Sequence, residues 1–278
     1  MSAKVSVIVT TRNNQETLAA CLQTIVNQLY KDIELIVVDN NSSDNTQEIA
    51  GRFTERVYNK GPERSAQRNY AVSKATGEYV LIIDSDMELS LEVVGECVAK
   101  AEADLTIAAV IIPEESFGEG FWASCKKLER SYYVGQDNIE AARFFRKDLF
   151  VKAGGYNESM TGGEDWDLTR RMKQLGKHGR IAAYIYHNEG QPKFTRTVKK
   201  MYYYGQHAAE YFANNPTNSA LTDQSGPIQR YKLFLSKPGK LLRNPIVGVG
   251  MLTLKTAEYA AGGIGMVASR TKGREART

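Results

Sequence analysis

Val5-Ser6-Val7-Ile8-Val9 opens the chain as a short, β-branched apolar run, the pattern of a buried strand. Leu18, Leu22, Ile25 and Leu29 then recur at spacings of three and four, which predicts a helix with Asn13 or Asn14 at its start. Ile33 to Val38 is a second apolar run that stops at Asp39. Ser42-Ser43-Asp44 supplies an N-cap for a short helix reaching about Phe53. Arg64 to Thr76 reads as a helix ended by Gly77, and Tyr79 to Ile83 as a third buried strand ending at Asp84. This alternation predicts an α/β fold with a mostly parallel central sheet wrapped by helices.

Beyond Asp86 the pattern loosens. Leu91 to Ala101 is expected to be helical, and Leu105 to Ile112 a strand ended by Pro113. Residues 114–140 hold Trp122, Tyr132 and Tyr133 in a charged setting. Ala142 to Arg146 reads as a strand, and Lys147 to Ala153 as a helical turn stopped by Gly154-Gly155. A helix begins at Glu164 and runs to about Leu175, and Arg180 to Tyr186 is a last strand, followed by His187.

In parallel α/β sheets, ligands bind at the carboxyl ends of the strands. Three strands end in polar groups: Thr10-Thr11-Arg12, Asp39-Asn40-Asn41 and Asp84-Ser85-Asp86. One polar strand end is ordinary wet loop; three on the same edge favour a site. Asp84 and Asp86, one residue apart on a turn after a buried run, have the placement to share one hard divalent cation with substrate phosphates.

The blocks Val7 to Asn13, Val37 to Asp44, and Arg68-Asn69 through Gly77 to Asp84-Ser85-Asp86 resemble family 2 glycosyltransferases of the GT-A (Rossmann-like) fold. Gly154-Gly155-Tyr156 and Gly163-Glu164-Asp165-Trp166-Asp167-Leu168 continue that resemblance, which covers roughly residues 3–190. It implies a nucleotide-diphospho-sugar donor, a divalent metal (Mn²⁺ or Mg²⁺) and inversion at the anomeric carbon. By the same resemblance, Thr11, Arg12 and Asp39 face the nucleotide, with Asp44, Arg68 and Asp84 completing its pocket. Asp86, Asp84 and His187 are the implied metal ligands. Asp165 is the implied base, supported by Glu164, and Trp166 is placed to stack on an acceptor sugar. Chemistry agrees: a cation neutralises the diphosphate leaving group, and a carboxylate takes the acceptor proton as the bond forms. The bland reading of Glu164 and Asp165 is a helix N-terminus, which attracts acidic residues. Arg64 and Arg68, four apart, fit phosphate contact and a solvated helix face equally.

Composition is that of a globular chain, with 42% hydrophobic and 24% charged residues. The net charge of +4 hides a division. Residues 1–190 hold 22 Lys+Arg against 28 Asp+Glu, net −6, and residues 191–278 hold 14 against 4, net +10. Domain boundaries of 1–190 for the catalytic domain and 191–278 for a basic, helical extension follow. Cys21, Cys97 and Cys125 are odd in number and lack CxxC spacing, so neither disulfides nor a cysteine zinc site is expected. Met1 to Val9 has no basic stretch followed by a long apolar one, so no secretory signal is expected and a cytoplasmic setting is.

Pro245 to Ala268 has the length of a membrane span, but Lys255, Glu258 and five glycines argue against spanning. Arg243 before it and Arg270, Lys272, Arg274 and Arg277 after it suit the surface of an anionic bilayer. No nucleic-acid motif accompanies the basic charge. The expected activity is therefore a metal-dependent inverting transfer from a nucleotide-sugar, UDP-sugar foremost. Its acceptor is a hydroxyl of a glycan or lipid-linked glycan, at the cytoplasmic face of a membrane. Transfer to a polyprenyl phosphate is the runner-up, since a phosphate needs no base and leaves Glu164-Asp165 unexplained. A non-catalytic sugar-nucleotide-binding scaffold is a third reading, and a dinucleotide dehydrogenase is disfavoured because no GxGxxG follows the first strand.

Overall fold

The computed structural model describes residues 3–160, 162–214 and 226–275. In chain order its elements are β1 (Val5–Thr11), α1 (Leu18–Val26), β2 (Ile33–Asp39), α2 (Thr46–Gly51), β3 (Val57–Asn59), α3 (Arg64–Lys74), β4 (Tyr79–Asp84) and β5 (Met87–Leu89). There follow α4 (Val93–Ala103), β6 (Ile107–Ile111), β7 (Glu114–Phe117), α5 (Phe121–Ser131), β8 (Ala142–Arg146), α6 (Lys147–Lys152), α7 (Glu164–Lys173), β9 (Lys177–Arg180) and β10 (Ile185–Asn188). The rest is helical: α8 (Phe194–Asn214), α9 (Pro227–Ser236), α10 (Pro238–Arg243) and α11 (Pro245–Glu275).

The chain forms two compact units. The first comprises Met1–Glu115, Glu140–Glu158 and Glu164–Asn188; the second comprises Ser116–Ile139, Ser159–Gly163 and Glu189–Thr278.

The first unit is built on a seven-stranded sheet of order β3-β2-β1-β4-β8-β6-β9, in which β8 alone runs antiparallel to its neighbours. Every residue of β1 is buried, which is why its sequence is a continuous apolar run rather than an alternating one. Successive side chains go to opposite faces. Val7, Val9, Leu81 and Ile83 meet Leu18, Leu22 and Ile25 of α1 on one side, and Ile8, Ile36, Val80 and Ile82 meet Ala71, Val72, Phe150 and Leu168 on the other. Gly77 lets the turn before β4 lie against β1, because a Cβ there would sit 2.7 Å from Lys4 O and Ser6 N. A second sheet has the order β5-β10-β7.

Several expectations shift. The first helix stops at Val26, so Leu29 is 62% exposed, and the buried residue of that turn is Gln28. Its amide donates to Ser90 O at 2.8 Å and accepts from Val94 N at 3.0 Å. Asn13 and Asn14 do not cap α1; Thr17 holds that position without a side-chain bond. The last predicted strand is two strands, because Glu96 Oε2 accepts from Ala182 N and Ala183 N at 2.9 and 3.0 Å and so takes those amides out of any ladder. Residues 114–140 contain a strand and a helix, β7 and α5, for which no pattern had been apparent.

In the second unit, Cys125, Tyr132, Phe234 and Met251 form a small core. Gly205 and Gly265 bring the α8 and α11 backbones into close contact, at positions where a Cβ would collide with the facing main chain. Lys255 and Glu258 do not interrupt an apolar helix surface. Lys255 Nζ lies 2.6 Å from Glu129 Oε1 on α5 and 2.6 Å from Glu258 Oε2, so both charges are turned inward. Among the described residues no helix is long and apolar enough to cross a membrane.

Candidate active site

The parallel register β2-β1-β4 aligns three strand tips. Thr11 is opposite Asp39, and Thr10 is opposite both Val38 and Asp84, so the three polar ends seen in the sequence form one row at the carboxyl edge. Side chains bind the loops beyond them. Asn13, in the left-handed region at φ 47°, takes Ser43 N on its Oδ1 at 2.8 Å. Asn14 N donates to Thr46 Oγ1 at 2.8 Å, and its amide donates to Ser85 Oγ at 2.7 Å. Below this rim, buried Gln67 donates to Val38 O at 2.7 Å and Thr11 O at 3.1 Å, a clasp across two strands that nothing in its sequence context announces.

Arg68 is the centre of the site. Its side chain is fully buried, with Nη2 2.7 Å from Asp84 Oδ1, Nη1 2.8 Å from Asp165 Oδ1, and Nη1 3.5 Å from Glu164 Oε1. The guanidinium also lies 4.9 Å from the Tyr156 ring centroid, a cation–π placement. Arg64 pairs with Glu164 through Nε. Arg64 and Arg68 therefore do not form a solvated face; α3 turns both onto carboxylates. Glu164 and Asp165 stand in the first turn of α7, where the helix dipole favours negative charge.

Arg143 on β8 is a site residue the sequence reading missed. Its Nε lies 2.6 Å from Glu114 Oε1, and its Nη1 3.5 Å from Asp84 Oδ2. An arginine set between Ala142 and the buried Phe144-Phe145 pair was the available signal.

Electrostatics sort these carboxylates. Burial pushes the Asp84 carboxyl up, but the guanidiniums of Arg68, Arg143 and Arg64 outweigh it and hold Asp84 well below the usual range. Burial pushes Glu164 up, its neighbour Asp165 adds to this, and Arg64 and Arg68 only partly offset it. Burial disfavours charge on Arg68, yet Asp165 and Asp84 keep it firmly protonated.

The other expected residues take different positions. Asp86 Oδ2 lies 3.2 Å from His187 Nε2, brought together by the antiparallel pairing of β5 and β10. Asp84, by contrast, has an arginine against each oxygen, and among the described residues no group of three His, Cys, Asp or Glu side chains is placed to hold a metal. Asp39 is buried and accepts from Ser42 N at 2.8 Å, Gln47 Nε2 at 2.7 Å and the Ser42 hydroxyl. Asp44 accepts from Thr46 N at 3.0 Å at the start of α2. Thr11 is buried with its hydroxyl unpartnered, as are Ser65 Oγ and Glu164 Oε2; Arg12 is exposed and Trp166 half-buried. A buried polar atom left without a partner costs about 1–3 kcal/mol, so this edge retains unmet bonding capacity.

A mostly parallel sheet with an acidic tip after its central strand, faced by a carboxylate pair opening a later helix, defines the GT-A class of fold. Solved structures agree in fold. A mannosyltransferase, PcManGT from Pyrobaculum calidifontis in complex with GDP-Man and Mn²⁺, superposes with a TM-score of 0.64 at 18% identity, covering 96% of this chain and 88% of that one. TarS 1-349 of S. aureus gives 0.55 at 16% identity, covering 97% and 92%.

Within that class the chain belongs to glycosyl transferase family 2, whose family model matches residues 6–155. Glycosyltransferase GlyG of Streptococcus pneumoniae is 34% identical over 148 residues, 49% of this chain and 46% of its own length. A Campylobacter jejuni GalNAc(5)-diNAcBac-PP-undecaprenol beta-1,3-glucosyltransferase is 28% identical over 186 residues, 58% and 57% of the two chains. The aligned region thus spans about half the length of these two curated relatives.

Proposed function

We propose that the protein is a metal-dependent, inverting glycosyltransferase that moves a sugar from a nucleotide-diphospho-sugar, UDP-sugar foremost, to a hydroxyl of a glycan or lipid-linked glycan. The observation that carries this reading is the fully buried Arg68 bridging Asp84 of the acidic tip to Asp165 of the carboxylate pair. One side chain thereby ties the donor end of the site to the proton-accepting end.

In this reading Asp165 takes the acceptor hydroxyl proton, and Arg68 fixes its orientation. Glu164, paired with Arg64 and buried beside Asp165, is left to support that orientation. The rim of Thr11, Arg12, Asp39 and Asp44 receives the nucleotide. Arg68 and Asp84 close that pocket from below, and Trp166 offers a face to the acceptor sugar.

Asp86 and His187 fit a divalent cation, since a carboxylate oxygen and an imidazole nitrogen already converge within 3.2 Å. Asp84 is assigned instead to the arginines that surround it. When bound, Mn²⁺ or Mg²⁺ supplies charge neutralisation for the departing diphosphate.

Residues 1–190 form the catalytic domain in this reading, and the basic residues 191–278 hold it, as a peripheral protein, at the cytoplasmic face of a membrane. The undecaprenol-linked acceptor in the C. jejuni relative's name supports such a setting. Asp165→Asn is expected to retain nucleotide-sugar binding by calorimetry and to lose transfer by a factor of about 10²–10⁴. Full activity in that variant overturns the base assignment.

A further inference from the structure

Within the second unit, the exposed positions of α11 among the described residues, Pro245 at its start aside, follow one side of the helix. They are Ile246, Val249, Thr253, Thr256, Ala260, Gly263, Ile264 and Val267, three or four residues apart except for the adjacent pair Gly263 and Ile264. No charged side chain occurs among them. Ile246, Val249, Ile264 and Val267 are 62–74% exposed, an unusual state for large aliphatic residues so arranged. From Ile246 to Val267 the line runs about 32 Å at 1.5 Å per residue.

This inverts the usual amphipathic arrangement, in which the outward face of a surface helix carries the charge. Here the two charges in the middle of the same helix are turned inward, where Lys255 pairs with both Glu129 and Glu258. Shallow apolar hollows flank the line. One of 480 Å³ is lined by Val249, Leu252, Thr253, Thr256, Ala257 and Ala260. Another of 530 Å³ reaches from Thr253 and Val249 to Phe121 and Trp122.

We propose that this face of α11 is the surface on which the protein lies against an anionic bilayer. Charge selects that occupant over a second copy of the chain. Cations stand beyond both ends of the line: Lys237 and Arg243 are exposed before it, and Arg270, Lys272 and Arg274 follow it in the sequence. Pairing two such helices, parallel or antiparallel, sets cation against cation with no acidic residue on the exposed line to offset them. Anionic headgroups satisfy both ends at once, while acyl chains cover the apolar middle. Ile228, Leu235 and Leu242, 64–71% exposed on α9 and α10, add apolar side chains to the same unit. The inference deepens the membrane location proposed above and does not depend on the transfer chemistry.

The test is sedimentation of the full chain with vesicles of equimolar phosphatidylcholine and phosphatidylglycerol. Wild type is expected to pellet with them, less so in high salt. Val249→Glu and Ile264→Glu are each expected to weaken binding by about tenfold or more. Leu105→Glu, a control at a residue 71% exposed in the first unit, is expected to bind as wild type. Light scattering and nucleotide-sugar binding, measured on the same samples, report folding and the donor site separately. Absent wild-type binding, or α11 variants that bind unchanged, overturns the proposal. Loss of a dimer in those variants with vesicle binding retained also overturns it and makes the face a self-association surface. Failure of donor binding alone bears on the enzymatic reading and leaves this one standing.

Discussion

Arg68 donates to Asp165 Oδ1 at 2.8 Å from a position with no solvent exposure. A buried guanidinium is tolerated only when paired, and here two carboxylates share the task, Asp84 on one nitrogen and Asp165 on the other.

Removing that cation leaves Asp165 without its arginine and Asp84 and Glu164 with only Arg143 and Arg64 to offset their charge. Arg68→Met is therefore expected to cost about 3–5 kcal/mol of stability and to abolish transfer. Arg68→Lys keeps the charge but not the planar fork, so it cannot serve both carboxylates and is expected to recover stability more than activity. Chemical denaturation alongside a transfer assay checks both.

Asp84 has a pH consequence. Its carboxyl is held below the unfolded value of 3.8, so it contributes stability that is present above that value. As pH falls through the lower folded-state value, that contribution disappears. The stability difference between wild type and Asp84→Asn is expected to be constant above about pH 5 and to shrink steadily below about pH 4. Urea melts across that range measure it; a difference independent of pH contradicts the arginine clamp.

The Asp86–His187 pair predicts how metal enters. Chelation is expected to abolish transfer, and Mn²⁺ or Mg²⁺ to restore it. His187→Ala is expected to raise the metal concentration needed by at least about tenfold, the scale on which even indirect supports of a metal ligand act. Titration of activity against metal reads this directly, and an unchanged midpoint removes His187 from the site.

Lys255 predicts a structural effect remote from the chemistry. Burial opposes ionisation of Glu129, but Lys255 and the Tyr133 hydroxyl hold its carboxyl below the ordinary range. Lys255→Met is expected to destabilise the second unit by about 3–5 kcal/mol by leaving two acidic side chains buried together. Limited proteolysis with mass mapping is expected to find cleavage in α11 first.

The central sheet was legible because its strands are buried on both faces and so appear as uninterrupted apolar runs. The tips were legible because polarity begins abruptly where each run ends. What stayed hidden was short or long-range. β5 and β7 have three and four residues, too few for periodicity, and Glu114-Glu115 disguises the second. The spacing of Arg64 and Arg68 states that they share a helix face but not which way it points; only the docking of α3 on the sheet and the approach of α7 turn it inward. Arg143 and Gln67 are likewise polar residues whose partners arrive from distant elements. The charges in α11 argued rightly against a span, but a linear reading cannot tell a helix face turned to solvent from one turned to α5, so their pairing with Glu129 was not visible.

The stitching of the strand tips by Asn13 and Asn14 has an entropic meaning. The loops after β1, β2 and β4 reach one another through short amide side chains that cost little freedom to immobilise, and the backbone there is already restricted before any donor arrives. If the rim receives a nucleotide as proposed, that ligand gives up mainly its own freedom, with little owed for ordering the protein. Selectivity in that reading is a matter of shape match against a fixed mould, to be altered by exchanging a single amide without rebuilding a loop.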